Sequence, residues 1–462
     1  MLEGTAGEIA RLAGGRLVAG EPGGAVRGVS VDNRRVAGGE LFVALPGERF
    51  DGHDFVWRAF AAGASAAMVS AEIHMDQAPA GRAVIRVENT YLGLGRLAAE
   101  HRRRFGFPWV AITGSCGKST TKELAALLLE ARGPVLKAEA SFNNRVGVPL
   151  TLLNAGPEHR YAVVELGSNH PGELAPLAAM ARPDVAVITC IAPAHLAGFG
   201  DLDGVAEEKS AILDALRPGG LAVLNADDHY FGFLRDRSPG MVVSFGLSEW
   251  AQVRATDVVL APEGTEFTLP GGARAELPLP GMHNIRNALA AAAIASRLGL
   301  DMAEVAARLA MAQPLHMRSR LIRAGEILLF EDCYNANPAS FLAALEALDS
   351  LGEQRKVVVV GDMAELGRHS EEHHRQLGEE IAGRRVELLV AVGHEARLVY
   401  EAASRGSARL ESHYFPDAAA AAEKVPGLLK PGDTVLVKGS RRVGLEAVSA
   451  AIERAFRRGA EG

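Results

Sequence analysis

Residues 110–120 read VAITGSCGKST, and this stretch decides how the middle of the chain is organised. An apolar run that begins at Val110 is followed by a turn with two glycines, Gly114 and Gly117, and a helix can begin at Lys118 and Ser119. A strand that turns into a helix in this way presents backbone N–H groups and the positive helix end to an anion. We therefore predict a phosphate-binding loop in which Lys118 reaches the terminal phosphates and the hydroxyl of Ser119 binds Mg²⁺. The alternative is a glycine turn that caps a helix beside a solvated lysine, because Ile112 occupies a glycine position of the common GxxxxGK[ST] spacing.

Strands and helices alternate on both sides of this loop. Apolar runs of strand length recur at 161–166, 185–189 and 221–224, and again at 357–360, 387–392 and 434–437. Because continuous apolar runs separated by helices are typical of parallel sheets covered on both faces, we predict two doubly wound units. Before the loop, shorter apolar runs alternate with helix-like segments, at 40–44, 56–62, 66–69, 83–87 and 91–104.

The length of the chain predicts several domains. A chain of 462 residues is too long for one hydrophobic core, which tends to stop growing at about 250 to 300 residues. The predicted fold class is α/β with three domains. They are a small α/β N-terminal domain at residues 1–85, a central phosphate-loop ATPase domain with a mainly parallel sheet at 86–312, and a Rossmann-like C-terminal domain at 313–462.

Charge and cysteine content exclude several classes of protein. With 49 basic and 56 acidic residues the formal net charge is -7, so the chain has no overall attraction to nucleic acid or to anionic membranes. The cysteines Cys116, Cys190 and Cys333 are far apart in sequence and lack CxxC spacing, which predicts neither a disulfide framework nor a zinc site. The N-terminus does not look like a secretory signal, and no apolar run reaches the roughly 18 residues of a membrane span. We expect a cytoplasmic protein.

Further segments follow the loop in a characteristic order. They are FNNRVGVP at 142–149, ELGSNHPGE at 165–173, AHL at 194–196, GVAEEKS at 204–210 and GMHNIRNA at 281–288. Together with the loop, these segments resemble the motifs of the Mur ligase family, whose members use ATP to form amide bonds in cell-wall precursors. The resemblance extends over most of the predicted central domain.

The resemblance implies ATP and Mg²⁺ as cofactors, with Lys118 at the phosphates. Ser119 and Glu165 would hold one Mg²⁺ between the β- and γ-phosphates. Glu165, His195 and a carbamylated Lys209 would hold a second one near the substrate carboxylate. Taken alone, His195 also fits a buried, hydrogen-bonded ring, and Lys209 fits a solvated position on an acidic helix.

The residues that would bind ATP extend from the loop to the start of the last domain. They are Gly114, Ser115, Cys116, Gly117, Lys118, Ser119, Thr120, Asn284, Asn287, Arg318 and Asp332. Asn284 and Asn287 are three residues apart, so one helical face can present both amides to an adenine edge, or else they cap the helix. By resemblance Arg318 would contact the γ-phosphate and Asp332 the ribose, which implies that ATP binds between domains. Arg320 is close enough to Arg318 to be confused with it.

The C-terminal motifs favour one activity within the family. DCYNANP at 332–338, GDMAELG at 361–367 and VKGSR at 437–441 resemble the member that adds D-alanyl-D-alanine to UDP-N-acetylmuramoyl-tripeptide. These two compounds are therefore the implied partners, and a monomer is expected. Residues 29–34 and 41–53 are similar to the UDP-binding domain of that member.

Ten residues of these segments are implied to bind substrate. They are Ser30, Asp32, Arg34, Arg49, Asn143, Asn144, Asn335, Asn337, Lys438 and Ser440. One alternative function is a sister ligase that adds the third peptide residue, and another is a folylpolyglutamate synthase; the segment 334–338 argues against both. A third is a nucleotide-dependent binding switch or transport ATPase, which would not need Glu165, His195 and Lys209 together.

Overall fold

The structure, a computed structural model, describes residues 1–73, 81–261 and 264–458. Its first sheet belongs to the N-terminal domain and has the strand order β2-β7-β6-β5-β4, with β2 antiparallel to its neighbour. The elements of this domain are β1 Glu3–Thr5, α1 Ala6–Leu12, β2 Arg16–Ala19, β3 Ala25–Arg27, β4 Val29–Ser30, β5 Leu41–Val43, α2 Val56–Ala61, β6 Ala66–Val69 and β7 Ala83–Arg86. The predicted boundary at 85 lies one residue before the end of β7.

The central domain is built on a seven-stranded sheet in which all neighbouring strands run parallel. Its elements are α3 Thr90–Arg102, β8 Trp109–Thr113, α4 Lys118–Leu129, β9 Val135–Lys137, α5 Gly147–Leu153, β10 Tyr161–Glu165, α6 Leu174–Ala181, β11 Val185–Ile188, α7 Leu196–Phe199, α8 Leu202–Asp214, β12 Leu221–Asn225, α9 Phe231–Arg237, β13 Met241–Gly246 and β14 Val253–Arg254. Helix α3 packs on α5 and α6. The strand order is β14-β13-β12-β11-β8-β10-β9. Because β8 lies between β10 and β11, the loops that follow these three strands meet at one edge of the sheet.

A small antiparallel sheet follows, which the sequence pattern did not reveal. It consists of β15 Thr256–Ala261, β16 Gly264–Thr268 and β17 Arg274–Leu277, and the helices α10 Met282–Arg297 and α11 Met302–Leu309 come after it. Helix α10 is an alanine-rich helix whose residues from Ala288 to Ala295 are all buried. It packs against α4, so the phosphate-loop helix and the predicted adenine helix are neighbours.

The C-terminal domain has a six-stranded sheet of order β18-β19-β23-β20-β21-β22, parallel except for β18. Its elements are β18 Arg320–Ala324, β19 Ile327–Glu331, α12 Pro338–Ser350, β20 Lys356–Gly361, α13 Ser370–Ala382, β21 Leu388–Val392, α14 Ala396–Gly406, β22 Glu411–Phe415, α15 Ala418–Lys424, β23 Thr434–Lys438 and α16 Glu446–Arg458. The predicted start at 313 falls in the connection between α11 and β18. The predicted α/β class and parallel central sheet are confirmed.

Two further features bear on the expectations from sequence. Among the residues that the structure describes, no helix is both long and apolar enough to cross a membrane. The central and C-terminal sheets also direct the carboxyl ends of β8, β10, β11, β19 and β23 toward a common cavity. Functional side chains from two domains can therefore meet there.

Candidate active site

A cavity of about 720 Å³ lies between the central and C-terminal domains. The central domain supplies the phosphate loop, the ends of β10 and β11 and the start of α10. The C-terminal domain supplies the segments that follow β19 and β20 and the end of β23. The cavity thus has a central wall and a C-terminal wall, and most of the predicted site residues line one of them.

The phosphate loop is formed by glycines that no other residue could replace without a clash. A Cβ atom at Gly114 would lie 2.0 Å from Thr189 Oγ1, and one at Gly117 would lie 2.2 Å from Asn287 Oδ1. Both glycines have positive φ angles. Lys118 begins α4, and its Nζ donates to the carbonyl oxygen of Gly114 at 2.7 Å. The lysine is partly buried and folds back over the loop at the edge of the cavity.

Ser119 and Glu165 form the next layer of the central wall. Ser119 Oγ donates to Glu165 Oε2 at 2.6 Å, and Asn143 Nδ2 donates to Glu165 Oε1 at 2.7 Å. Glu165 is buried at the end of β10 and lines the cavity. A serine hydroxyl and a carboxylate are hard oxygen donors, and their adjacency at the mouth of a phosphate loop fits Mg²⁺.

Lys209 is fully buried on α8, so the reading of this lysine as a solvated helical residue is wrong. Its Nζ donates to Ser168 Oγ at 2.8 Å and to the carbonyl oxygen of Ser168 at 3.1 Å, and it faces the ring of Phe199 at 5.2 Å. Burial, and after it the positive charge of Lys118, lowers the pKa of Lys209 to about 7. A large fraction of this amine is therefore neutral near neutral pH.

His195 lies at the border between the two walls. It caps the short helix α7 with a left-handed backbone conformation, and its Nδ1 contacts Glu365 Oε2 of the C-terminal domain. This hydrogen bond lowers the pKa of Glu365. Within the described ranges, no cluster of three or more His, Cys, Asp or Glu side chains is arranged to hold a metal ion.

The predicted adenine residues lie on α10, as the sequence suggested. Asn284 Nδ2 donates to the carbonyl oxygen of Pro280 at 2.8 Å, and Asn287 Nδ2 donates to Asn284 Oδ1 at 3.3 Å. Both line the cavity. In the bond to Pro280 the Asn284 amide donates, whereas a capping side chain accepts from a backbone N–H, so this bond does not support the helix-capping alternative. Their neighbour His283 lines the cavity too, and burial lowers its pKa to about 4, so its ring is neutral.

The C-terminal wall contains two cations in fixed positions. The guanidinium of Arg318 stacks on the ring of Tyr334 at 4.0 Å, and Tyr334 Oη donates to Ser141 Oγ of the central domain at 2.7 Å. Lys438 Nζ, at the end of β23, donates to Asp332 Oδ2 at 2.6 Å. Arg318 lines the cavity.

Arg320 occupies a different environment from Arg318. It lies on β18 and pairs with Glu331 across the hairpin at 3.7 Å. Arg318 is therefore the arginine that faces the cavity.

Comparison with known proteins shows which family this chain belongs to. The chain matches the model of the Mur ligase middle domain at residues 112–295, that of the Mur ligase glutamate ligase domain at 317–441, and that of the Mur ligase family catalytic domain at 25–102. It is 39% identical to the UDP-N-acetylmuramoyl-tripeptide--D-alanyl-D-alanine ligase of Escherichia coli (strain K12), over 92% of this chain and 93% of that protein. The chain belongs to the Mur ligase family.

Solved structures of Mur ligases have the same fold. A crystal structure of MurF from Acinetobacter baumannii superposes with a TM-score of 0.90 at 34% identity, covering 98% of this chain and 99% of that one. MurF ligase from Thermotoga maritima, determined in complex with ADP, superposes with a TM-score of 0.82 at 28% identity, covering 94% of this chain and 98% of that one.

The remaining substrate residues predicted from the Mur ligase resemblance divide into two groups. Asn144, Asn335 and Asn337 line the cavity, but Asn144 also caps α5 and Asn337 caps α12 through its bond from Ser340 N at 2.8 Å. Ser440 is buried and accepts a hydrogen bond from Ala364 N at 2.8 Å. It is absent from the residues that line the cavity in the described part of the chain.

The N-terminal group lies away from this Mur ligase cavity. Ser30 Oγ donates to the carbonyl oxygen of Asp32 at 2.8 Å, and Arg34 donates to the Asp32 carboxylate at 2.7 Å. The bonds from Arg34 lower the pKa of Asp32 to about 2. The Arg34 side chain is 82% exposed, and Arg49 lies in an exposed loop. Their assignment to substrate binding stays a prediction.

Several residues at the Mur ligase site escaped the sequence analysis. Glu365, Tyr334 and His283 line the cavity but were quoted only as parts of motifs. In the sequence, these residues could have been recognised as site candidates because they lie shortly after a strand or at the start of a helix. Cys116 and Cys190 are 74 residues apart in sequence, yet their Sγ atoms lie 2.8 Å apart beside the phosphate loop, a proximity that spacing could not reveal.

Proposed function

We propose that this chain is an ATP-dependent ligase that joins D-alanyl-D-alanine to UDP-N-acetylmuramoyl-tripeptide through an acyl-phosphate. The observation that supports this proposal best is the presence of Lys118 and the Ser119–Glu165 pair in one interdomain cavity. The buried Lys209 lies directly behind the wall of this cavity, where it donates to Ser168, a residue that lines it. The relative from Escherichia coli carries the name of this activity. The ADP complex of the relative from Thermotoga maritima supports nucleotide binding. Because the reaction consumes ATP, we keep the expectation of a cytoplasmic enzyme. The expectation of a monomer stays a prediction.

The reaction needs activation because a carboxylate has no leaving group that an amine can displace. An oxygen of the tripeptide carboxylate attacks the γ-phosphorus of ATP, and the bond from that phosphorus to ADP breaks. The amino nitrogen of the dipeptide then attacks the acyl carbon and loses a proton as inorganic phosphate departs. The first step brings two anions together, so positioned positive charge supplies most of the catalysis.

Lys118 and Arg318 supply that charge from opposite walls. The bond of Lys118 to the Gly114 carbonyl holds its ammonium over the loop, and stacking on Tyr334 holds the guanidinium of Arg318 toward the cavity. In this arrangement Lys118 neutralises the phosphates bound at the loop, and Arg318 approaches the γ-phosphate from the other domain. Water is displaced when the two walls meet around the substrates.

Ser119 and Glu165 would hold Mg²⁺ at the phosphates, and Lys209, as a carbamate, would hold a second ion together with His195 and Glu165. When bound, Mg²⁺ shields the repulsion between the carboxylate and the γ-phosphate. The low pKa of Lys209 supports carbamate formation, because the neutral amine is the form that adds CO₂. Asn284, Asn287 and Asp332 are proposed to hold adenosine.

Phosphate release tests the proposal with the full chain, ATP, Mg²⁺, the UDP-muramoyl-tripeptide and D-alanyl-D-alanine. We expect turnover by the full chain only when ATP, Mg²⁺, the UDP-muramoyl-tripeptide and D-alanyl-D-alanine are all present. Turnover with a UDP-muramoyl-dipeptide and a free amino acid would assign a sister ligase, turnover with folate and glutamate would assign a folylpolyglutamate synthase, and release from ATP alone would assign a switch or transport ATPase.

Two lysine variants provide a matched control for this assay. Lys118→Ala should abolish turnover with the fold intact, because the lysine faces the cavity rather than a core. Lys137→Ala removes an exposed lysine that pairs with Glu123 on the surface, and it should keep the parent rate. Near-normal turnover by Lys118→Ala would contradict the phosphate-loop assignment.

A further inference from the structure

Two residues with left-handed backbone conformations meet across the domain interface. His195 has a φ of 54° and Glu365 a φ of 64°, values that residues other than glycine seldom adopt. His195 follows the end of β11 in the central domain, and Glu365 follows the end of β20 in the C-terminal domain. Strained residues of this kind persist where surrounding contacts hold them, and they cluster at functional sites.

The segments that carry these residues are docked together by several contacts. The backbone N–H of Ala197 donates to the carbonyl oxygen of Glu365 at 3.0 Å, and His369 Nε2 lies 3.1 Å from the carbonyl oxygen of Gly200. Gly367 packs so closely on Ala197 that an added Cβ would lie 2.9 Å from its Cα. Leu196 and Phe199, on α7, are part of a core cluster made largely by the C-terminal domain.

The contact of the side chains has a specific chemical consequence. Glu365 Oε2 engages Nδ1 of His195, and because the ring lines the cavity, Nε2 is the nitrogen left to face a ligand there. A carboxylate that accepts from one ring nitrogen fixes the tautomer and orientation of the ring and increases the basicity of the other nitrogen.

We propose that Glu365 is a positioning residue that orients His195 for its role at the substrate carboxylate. This inference rests on the proposed function, since it concerns the histidine of that site. Because Glu365 belongs to the C-terminal domain, the central domain alone does not orient His195. Docking of the C-terminal domain therefore orients the His195 ring as well as completing the ATP site. Glu365 is the residue through which this docking affects the central wall.

Steady-state kinetics of four variants test the proposal. Glu365→Ala should lower kcat by about 10- to 100-fold, the usual cost of removing the carboxylate behind a ligating histidine, with the KM for ATP changed less than about threefold. Glu365→Gln keeps an oxygen that can accept from Nδ1, so it should recover most of the rate. His195→Ala and the double variant should have equal rates, because Glu365 has nothing to orient once the ring is gone.

His369→Ala is the matched control, because His369 contacts the same docked segment without contacting His195. It should keep kcat within about threefold of the parent. Equal losses in His369→Ala and Glu365→Ala would show that docking alone matters and would overturn the proposal. So would a normal rate for Glu365→Ala, or an additive loss in the double variant.

Thermal unfolding of the unliganded chain gives a readout that does not depend on activity. The shifts in Tm of His195→Ala and Glu365→Ala should sum to more than the shift of the double variant, because each single change breaks the same contact. Additive shifts would overturn the pairing. If the parent shows no ligase activity but the shifts are not additive, the proposed function fails and the pairing stands, so the two failures are distinguishable.

Discussion

Lys209 and Lys438 belong to opposite domains, and both are almost completely buried, at 1% and 2% exposure. Lys438 lines the interdomain cavity, whereas Lys209 lies behind Ser168, which lines it from the central domain. Lys438 donates to the Asp332 carboxylate and lies near the carbonyl oxygens of Asp332 and Asn335. The hydrogen-bond partners of Lys209 are the two neutral oxygens of Ser168. A buried charge is tolerated when it is paired and otherwise shifts toward its neutral form. Lys438 is therefore a charged lysine held in an ion pair, whereas Lys209 has an amine that is available for reaction.

Lys209→Ala has the largest expected effect, because it removes the available amine. If Lys209 becomes a carbamate at the site, the variant should lose activity by about a thousandfold, equivalent to about 4 kcal/mol of activation free energy. A small carboxylic acid such as acetate fits the vacated space and presents two oxygens, so adding it to the assay should restore part of the phosphate release.

Lys438→Ala is the control that can contradict this assignment. It also removes a buried lysine, one that lines the cavity, but the missing group there is a cation, so acetate should not restore its activity. Equal recovery in both variants would show that acetate acts elsewhere. Full activity of Lys209→Ala would return Lys209 to a purely structural role.

Lys438→Met should have its main effect on stability. The substitution leaves the Asp332 carboxylate without its partner, and removing one member of a buried pair costs about 3 kcal/mol in the free energy of unfolding. Denaturant unfolding measures this cost. The double variant with Asp332→Asn should recover more than half of it, because the uncompensated charge is gone; no recovery would mean that packing of the lysine stem dominates.

The contrast between these lysines also shows what the sequence could predict. The alternation of strands and helices along the chain, the phosphate loop and the helical position of Asn284 could be predicted from apolar periodicity and glycine placement, whereas the order of strands within each sheet could not. The environment of Lys209 does not, since GVAEEKS reads as an acidic surface helix until the fold buries its inner face. Contacts between domains, such as Glu365 with His195, join residues 170 positions apart, so no local pattern contains them.

The pH dependence of stability sharpens the comparison further. The pKa of Lys209 is about 7 in the folded chain, against 10.5 for an exposed lysine, so the unfolded chain binds more protons between these values. The contribution of Lys209 to the free energy of unfolding therefore increases with pH from about 7 upward. In CO₂-free buffer, the free energy of unfolding of the parent relative to Lys209→Met should increase by about 1 to 2 kcal/mol between about pH 6.5 and 8.5. A difference independent of pH would mean that the amine stays charged.

Tyr334→Phe has the smallest expected effect and tests whether the two walls depend on each other. The substitution removes the hydrogen bond from Tyr334 Oη to Ser141 Oγ but keeps the ring under Arg318. A single hydrogen bond of this kind contributes about 1 kcal/mol, so the KM for ATP should rise less than about fivefold with kcat unchanged. Ser141→Ala should give the same change, and the double variant should be no worse than either. If Tyr334→Phe instead lowers kcat by more than tenfold, this bond helps to align Arg318, and the C-terminal wall then contributes to the transition state through Tyr334 as well.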